Sequence, residues 1–290
     1  RDAKVTAAST RRDVTPIWPG FLLALAALAV GSCRPAAAPA PFVLEEATIA
    51  GIHAAFASGT LTCRQLVTEY LARIEAYDDG RDGPALNAVL TVHPRALEIA
   101  ADMDARRASS PAAVGPLHCV PVVLKDNYDT ADLPTTGGSV TLAESVPLDD
   151  AFVVQRLRAA GALVIAKANL TELARGGTTV SSLGGQTKNP YDLTRTPGGS
   201  SGGTGAAIAA NFAAIGTGSD TGQSIRSPAS AGSLVGLRPT RGLVSRDGII
   251  PLSTTQDAAG PITRTVEDAA RMLDAIAGHD PTDPITAFSL

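Results

Sequence analysis

The sequence predicts an α/β fold, in which helices pack against a sheet. Two short apolar segments rich in β-branched residues, 120–124 and 162–166, are typical of buried strands. A helical segment at residues 150–160 separates them, a short helix follows near residues 169–174, and a last helix covers residues 266–277. Strands that alternate with helices along a chain indicate a layered α/β architecture.

The composition is that of a folded protein and excludes several functional classes. Hydrophobic residues make up 44% and charged residues 18%, which excludes a disordered chain. A net charge of −4 provides no basic face, so no nucleic-acid partner is predicted. No histidine or cysteine spacing matches a zinc or haem site, and we expect no cofactor. The three cysteines predict no disulfide framework.

Residues 1–33 predict an export signal. Two arginines at positions 11–12 precede an apolar segment, residues 21–30, which is too short to span a bilayer of about 30 Å but suits a signal peptide. The small residues before Cys33 resemble a bacterial lipoprotein motif, with lipidation of Cys33 as its consequence. We therefore expect an exported periplasmic or cell-envelope lipoprotein, attached to the membrane through Cys33, with an ordinary cleaved signal or a disordered tail as the alternatives. Residues 34–44 form the predicted linker.

Three amphipathic helices are predicted ahead of the first strand. The first has apolar residues at helical spacing over residues 49–56 and ends at Gly59. The second covers residues 62–77 and begins with a Thr-x-x-Gln capping box. The third covers residues 95–108. We expect these helices to be scaffold.

Lys125 ends the first predicted strand. Burial of a lysine costs free energy unless the side chain is paired or neutral. Asp126 faces the opposite side of the strand, so we do not expect it to neutralise Lys125. Burial lowers the pKa of a lysine from its ordinary value of about 10.4, and a neutral lysine can act as a base. A surface lysine is the alternative interpretation.

Two glycine-rich loops each carry a serine, and a helical segment of small residues separates them. The first loop, residues 198–203, contains Ser200, and the second, residues 216–224, ends at Ser224. A serine nucleophile needs a base, which predicts a set formed by Lys125, one relaying serine and one nucleophilic serine. Backbone N–H groups of residues 221–224 are the predicted oxyanion hole. Turn and capping roles for both serines stay open, because the sequence does not place Lys125 near either loop.

Residues 198–203 together with residues 220–226 (DTGQSIR) resemble the signature of the amidase signature family. The similarity extends over residues 45–285 and includes four further blocks, at residues 115–127, 161–173, 236–250 and 257–273. This resemblance implies a three-layer α/β/α sandwich around a mixed sheet, of which the domain at residues 45–290 is the N-terminal part. It also implies hydrolysis of an amide C–N bond in a small-molecule or peptide substrate, without a cofactor.

The resemblance assigns a role to each candidate residue. It implies that Ser224 is the acyl-enzyme nucleophile, that Ser200, after a cis peptide bond, relays the proton, and that Lys125 is the base. The implied oxyanion-hole residues are Thr221, Gly222, Gln223 and Ser224. The residues expected to support the loops are Gly198, Gly199, Ser201, Asp220 and Arg226, with Asp220 and Arg226 as a pair.

Two substitutions depart from the family pattern. Gln223 replaces a glycine and narrows the pocket or adds an amide donor near the acyl group, whereas Cys119 replaces a glycine as a small filler. Residues 184–191 and 245–251 are most similar to secreted peptide-amidase-like members. Glutaminyl-tRNA amidotransferase subunits share the signature but are cytoplasmic, which the export signal disfavours.

Two other functions stay open. Residues 198–202 fit the G-x-S-x-G pattern of an α/β-hydrolase-type esterase, with Ser200 as nucleophile and His279 downstream. That motif needs a buried strand before its serine, whereas residues 189–197 are polar and contain two prolines. A truncated, catalytically inactive exported binding protein is the second alternative.

Overall fold

The computed structural model describes residues 42–79 and 83–289. The predicted signal, Cys33 and most of the predicted linker lie outside the described residues, so these expectations stay predictions. Leu44, at the end of that linker, is buried in the hydrophobic core. No helix within the described ranges has the length and apolar character needed to cross a membrane.

The core of the protein is a mixed six-stranded sheet. Its strands are β1 (Val89–Val92), β2 (Pro121–Lys125), β3 (Leu163–Ala168), β6 (Ile215–Asp220), β7 (Val235–Gly236) and β8 (Ala258–Thr263). Their order across the sheet is β1-β3-β2-β6-β8-β7. The central strand β2 is parallel to β3 and β6, whereas β1, β8 and β7 pair antiparallel. A separate hairpin consists of β4 (Val180–Ser181) and β5 (Gly185–Gln186).

Seven α-helices of the described chain surround the sheet. They are α1 (Ile49–Ser58), α2 (Cys63–Tyr77), α3 (Ala96–Ser109), α4 (Phe152–Ala159), α5 (Gly202–Ala209), α6 (Arg226–Ala231) and α7 (Val266–Ile276). The α/β class, the N-terminal helices and the two apolar strands agree with the sequence predictions to within about two residues. The short helix expected near residues 169–174 is a 3-10 turn, Glu172–Ala174.

Local capping explains why the first helices were predictable. Thr62 accepts a hydrogen bond from the backbone N–H of Gln65, and the Gln65 side chain accepts one from the Thr62 N–H. Gly59 ends α1 in the left-handed region, with φ of 73°. These contacts involve neighbours in sequence, which is why the pattern alone identifies them.

The prediction of one continuous loop at residues 216–224 is wrong for its first half. Residues up to Asp220 form β6, buried between β2 and β8. Gly216 and Gly218 obscure the strand pattern, yet both are needed there, because a Cβ at either position would clash with side chains from α5 or the segment leading into α6. The glycines therefore allow close packing of helices on the sheet.

The cysteines, for which the sequence predicts no disulfide framework, nevertheless include one bonded pair. Cys63, the first residue of α2, is bonded to Cys119, and their Cα atoms are 5.8 Å apart. Cys119 is therefore a covalent link rather than a small filler. The two cysteines are 56 residues apart, and only the tertiary placement of α2 against the loop before β2 brings them together.

Candidate active site

Lys125 is completely buried at the end of β2. Its Nζ lies 2.7 Å from Ser200 Oγ, 2.8 Å from Ser219 Oγ and 3.3 Å from the Ser219 carbonyl oxygen. Burial lowers the pKa of Lys125 to about 7, with Asp220 and Asp257 opposing this shift. The neutral amine is therefore accessible near neutral pH.

The contacts around Lys125 suit a proton acceptor. A neutral amine has two N–H donors and one lone pair. Both N–H groups can be donated to the two oxygens of Ser219, and Asn127 Nδ2 holds Ser219 Oγ in place from 3.0 Å. The lone pair is then free to accept the proton of the Ser200 hydroxyl.

Asp126, the neighbour of Lys125, does not pair with it. Its carboxylate lies 3.0 Å from Lys167 Nζ, at the end of β3, and both side chains are buried. The sequence prediction that Asp126 leaves Lys125 unneutralised is therefore confirmed.

Ser200 lies on a loop that packs closely against its surroundings. Its side chain is fully buried, the Gly199–Ser200 peptide bond is cis, and the Thr171 N–H donates to its carbonyl at 3.0 Å. Gly203, the second residue of α5, lies directly against the backbone of Asn169, so that a Cβ at position 203 would overlap this backbone. Close approach of this helix is what brings Ser200 to Lys125.

The loop predicted to form the oxyanion hole, residues 221–224 (the oxyanion loop), has its carbonyl groups and its N–H groups in different environments. The carbonyls of Gly222, Gln223 and Ser224 accept hydrogen bonds from Arg226, from Ser227 N–H and from Ser201 N–H, respectively. The four N–H groups of the loop donate no hydrogen bond within the described part of the chain. Unpaired, neighbouring backbone donors of this kind can stabilise an oxyanion.

Asp220 holds the C-terminal end of this loop through hydrogen bonds. Its buried carboxylate accepts from the Ile225 N–H at 3.0 Å and from Arg226 Nε at 3.2 Å, and Arg238 Nε lies 3.4 Å away. Burial favours the neutral carboxyl, but the hydrogen bonds outweigh it and hold the pKa of Asp220 below its ordinary value. The predicted pairing of Asp220 with Arg226 is confirmed.

Ser224 lies close to the other candidate residues but is not bonded to them through its hydroxyl. The two serine loops are joined by the Ser201 N–H, which donates to the Ser224 carbonyl at 3.2 Å. Within the described residues, the Ser200 hydroxyl bonds Lys125 and not Ser224. Hydrogen bonds between catalytic groups often become short only when substrate binds.

A cavity of about 280 Å³ opens beside Ser219 and Thr221. Its lining also includes Asp257 and a wall formed by residues 246–252. Within residues 221–224, Gly222 faces open space and Gln223 is exposed. A concave space beside free backbone donors is a natural substrate site.

Three residues at the site were missed by the sequence analysis: Ser219, Asn127 and Asp257. Asn127 and Asp257 lie inside blocks of family resemblance, which was the only signal that marked them. Ser219 lies in β6, which the sequence analysis took for loop. In the described ranges, no group of three His, Cys, Asp or Glu side chains is placed to hold a metal ion.

The esterase alternative requires His279 as a base for Ser200, and the structure does not pair these two residues. His279 Nδ1 lies 3.3 Å from Thr286 Oγ1, whereas Ser200 is bonded to Lys125. Among the described residues, no histidine is hydrogen-bonded to Ser200.

The described residues thus define an α/β protein with a lysine–serine cluster buried at the end of a central strand. The chain belongs to the amidase signature family, since the family model described as Amidase matches residues 65–289.

The relatives include both amidases and amidotransferase subunits. The native peptide amidase of Stenotrophomonas maltophilia is 47% identical with a TM-score of 0.81, over 85% of this chain and 51% of that chain. A probable amidase of Arabidopsis thaliana is 44% identical over 89% of this chain and 51% of the relative. A glutamyl-tRNA(Gln) amidotransferase subunit of Nitratidesulfovibrio vulgaris is 46% identical over 84% and 48%. The chain therefore spans about half the length of these relatives.

Proposed function

We propose that the chain is an amidase that cleaves a carboxylic amide C–N bond through an acyl-enzyme on Ser224. The observation that carries this proposal is the 2.7 Å contact of Lys125 Nζ with Ser200 Oγ, made by a lysine whose pKa is lowered by burial. A lysine of this kind can remove a proton from a serine at neutral pH.

The proposed reaction has two stages. Lys125 accepts the Ser200 proton while Ser200 takes the proton of Ser224, whose Oγ attacks the amide carbon. The N–H groups of residues 221–224 stabilise the oxyanion. The Lys125 ammonium then returns the proton through Ser200 to the leaving nitrogen, the C–N bond breaks, and ammonia or an amine departs. Water, activated by the same base, hydrolyses the acyl-enzyme to the carboxylate.

Hydrolysis rather than amide transfer is supported by the disulfide. Disulfides form in oxidising compartments, and the Cys63–Cys119 bond suits an exported protein better than a cytoplasmic one. The similarity to a peptide amidase supports a small-molecule or peptide amide as substrate.

Fluorophosphonate labelling tests the proposed nucleophile. We expect the 290-residue chain to be labelled, Ser224→Ala to be unlabelled, and Ser230→Ala, which alters an exposed serine of α6, to be labelled like the wild type. A peptide-mapping experiment should locate the adduct on Ser224. An adduct on Ser200 that is lost in His279→Ala would support the esterase instead, and an unlabelled wild-type chain would support the binding protein.

We further propose that the protein is an exported lipoprotein modified at Cys33. The signal-like residues 1–33 and the disulfide support this location. Metabolic labelling with a fatty-acid analogue should mark the protein in the membrane fraction, and Cys33→Ala should remove the label. An unlabelled protein released into the periplasm would indicate an ordinary cleaved signal.

A further inference from the structure

We propose that Asp257 is a positioning residue that fixes the oxyanion-binding N–H groups through the hydroxyl of Thr221, an inference that rests on the function proposed above.

The Thr221 hydroxyl is hydrogen-bonded to the carboxylate of Asp257, which other hydrogen bonds hold in place. Thr221 Oγ1 donates to Asp257 Oδ1 at 2.5 Å. The other oxygen of Asp257 accepts from the N–H groups of Leu252 and Ser253, each at 2.8 Å. Hydrogen bonds to an ionised carboxylate are among the stronger ones in proteins. Because three donors converge on Asp257, its carboxylate is a fixed point for Thr221.

At its N-terminal end, the oxyanion loop is held by the hydrogen bond between the Thr221 hydroxyl and Asp257. Its C-terminal end is held by Asp220, which binds the Ile225 N–H and Arg226. Hydrogen bonds to the Gly222 and Gln223 carbonyls, from Arg226 and from the Ser227 N–H, fix the peptide planes that carry the N–H groups of Gln223 and Ser224. The Thr221 carbonyl accepts no hydrogen bond within the described part of the chain, so the hydroxyl contact with Asp257 is the anchor for the N–H groups at the Thr221 end.

The same carboxylate also holds the wall of the cavity. Leu252 and Asp257 both line the cavity beside Thr221. The Asp257 carboxylate accepts hydrogen bonds from the Leu252 N–H and from the Thr221 hydroxyl. Asp257 consequently keeps the oxyanion donors and the wall that faces the substrate in one arrangement.

Loss of this anchor should affect the transition state more than the bound substrate. An oxyanion hole acts through donors that are already in place, and removal of one such donor lowers kcat about 10²- to 10³-fold. A displaced donor is weakened rather than removed. We therefore expect a smaller loss, in kcat and not in KM.

The Thr221 hydroxyl allows a test with substitutions of similar shape. Thr221→Val removes the hydroxyl and should lower kcat about 10- to 100-fold, with KM within about twofold of wild type. Thr221→Ser keeps the hydroxyl and should restore most of kcat. Affinity for a peptide aldehyde, whose Ser224 adduct places an oxyanion in the same hole, should fall in Thr221→Val by the same factor as kcat.

Asp257 needs a separate comparison, because its charge also acts on Lys125. Burial lowers the pKa of Lys125, and the charges of Asp220 and Asp257 oppose this. Asp257→Asn should therefore move the acid limb of the pH–rate profile to lower pH, whereas Thr221→Val should leave that limb in place. In the double variant, the kcat loss should be smaller than the product of the two single losses.

Each outcome bears on the inference. Equal kcat and equal aldehyde affinity for Thr221→Val and wild type would overturn it, as would a loss confined to KM or to the thermal unfolding midpoint. A wild-type chain that forms no aldehyde adduct on Ser224 would instead refute the amidase proposal itself. A selective, hydroxyl-dependent loss in kcat and aldehyde affinity supports the positioning role.

Discussion

Lys125 Nζ lies 2.7 Å from Ser200 Oγ, and both side chains are fully excluded from solvent. The two residues are 75 positions apart in sequence. They meet because β2, which ends at Lys125, is parallel to the neighbouring β6, and because α5 packs directly against Asn169. The lysine that we propose as the proton acceptor is thus fixed at the centre of the sheet, and under this proposal its protonation should control the rate.

The first prediction concerns pH. Burial lowers the pKa of Lys125 to about 7, and only its neutral form can accept a proton. The rate of acylation should therefore rise about tenfold per pH unit below pH 7 and level off above it. The measurement is kcat/KM, or the rate of fluorophosphonate labelling, between pH 5 and 9.

Lys125→Arg provides the control for that profile, because arginine stays charged throughout this range. Its rate should be lower by about 10²- to 10⁴-fold at pH 8, without the acid limb near pH 7. A wild-type profile that is flat from pH 5 to 8 would contradict a neutral lysine as the base.

The second prediction concerns the buried pair of Lys167 and Asp126. Lys167 also donates to the Pro134 carbonyl at 2.8 Å, and Asp126 accepts from the Thr136 N–H at 3.0 Å, so the pair braces the loop that follows β2. Lys167→Met leaves the Asp126 carboxylate buried without its partner. We expect the free energy of unfolding to fall by about 3–5 kcal/mol, measured by urea denaturation.

An exposed ion pair gives a matched control for Lys167→Met. Arg95, which precedes α3, and Glu98, in its first turn, form a solvent-exposed pair, so Glu98→Gln should leave the urea midpoint almost unchanged. The double variant Lys167→Met/Asp126→Asn should regain part of the loss, because it removes the unpaired charge. If the free energy of unfolding of Lys167→Met is as high as that of Glu98→Gln, the Lys167–Asp126 pair does not stabilise the structure.

The sequence was sufficient for the parts of the molecule that depend on near neighbours. The capping box at Thr62, the helix end at Gly59 and the apolar strand before Lys125 are all defined within a few residues. The glycine-rich loops were also visible. Amino-acid pattern alone did not place them next to Lys125, because this depends on the order of strands in the sheet.

The residues that the sequence analysis missed depend on long-range packing. Ser219 lies on β6, where glycines required by helix packing interrupt the apolar pattern of a strand. Asp257 and Thr221, which are hydrogen-bonded, are 36 positions apart in sequence, and the bonded cysteines Cys63 and Cys119 are 56 positions apart. Neither spacing has a local signature, so these contacts emerged only from the folded chain.

The third prediction concerns the glycine that lets α5 approach Asn169. Gly203→Ala would place a Cβ against the Asn169 backbone, which cannot move as a flexible side chain can. Overpacking of this kind costs about 1–3 kcal/mol, more than the helix propensity gained with alanine. We expect a lower thermal unfolding midpoint and slower fluorophosphonate labelling, since Ser200 precedes this helix.

Gly51 is a matched control for Gly203, because it also lies near the start of a helix. A Cβ at position 51 would meet only the Thr48 side chain, at 3.3 Å. Gly51→Ala should therefore be neutral or slightly stabilising. An equal midpoint for both variants would mean that contact with Asn169 does not limit the approach of α5.

The fourth prediction concerns the Cys63–Cys119 bond, which fastens α2 to the loop leading into the strand of Lys125. The bridge joins residues 56 positions apart, and closure of a loop of this length stabilises a protein by about 4 kcal/mol, because it restricts the unfolded chain.

Thiol counting tests whether the bond is formed. In a Cys33→Ser background, no thiol should react in denaturant before reduction and two should react afterwards. Cys63→Ala in the same background should lower the thermal unfolding midpoint, and a reductant should lower the midpoint of its parent but not that of the variant. Two reactive thiols in the oxidised parent would show that the bond is not formed, and would also remove its support for an exported protein.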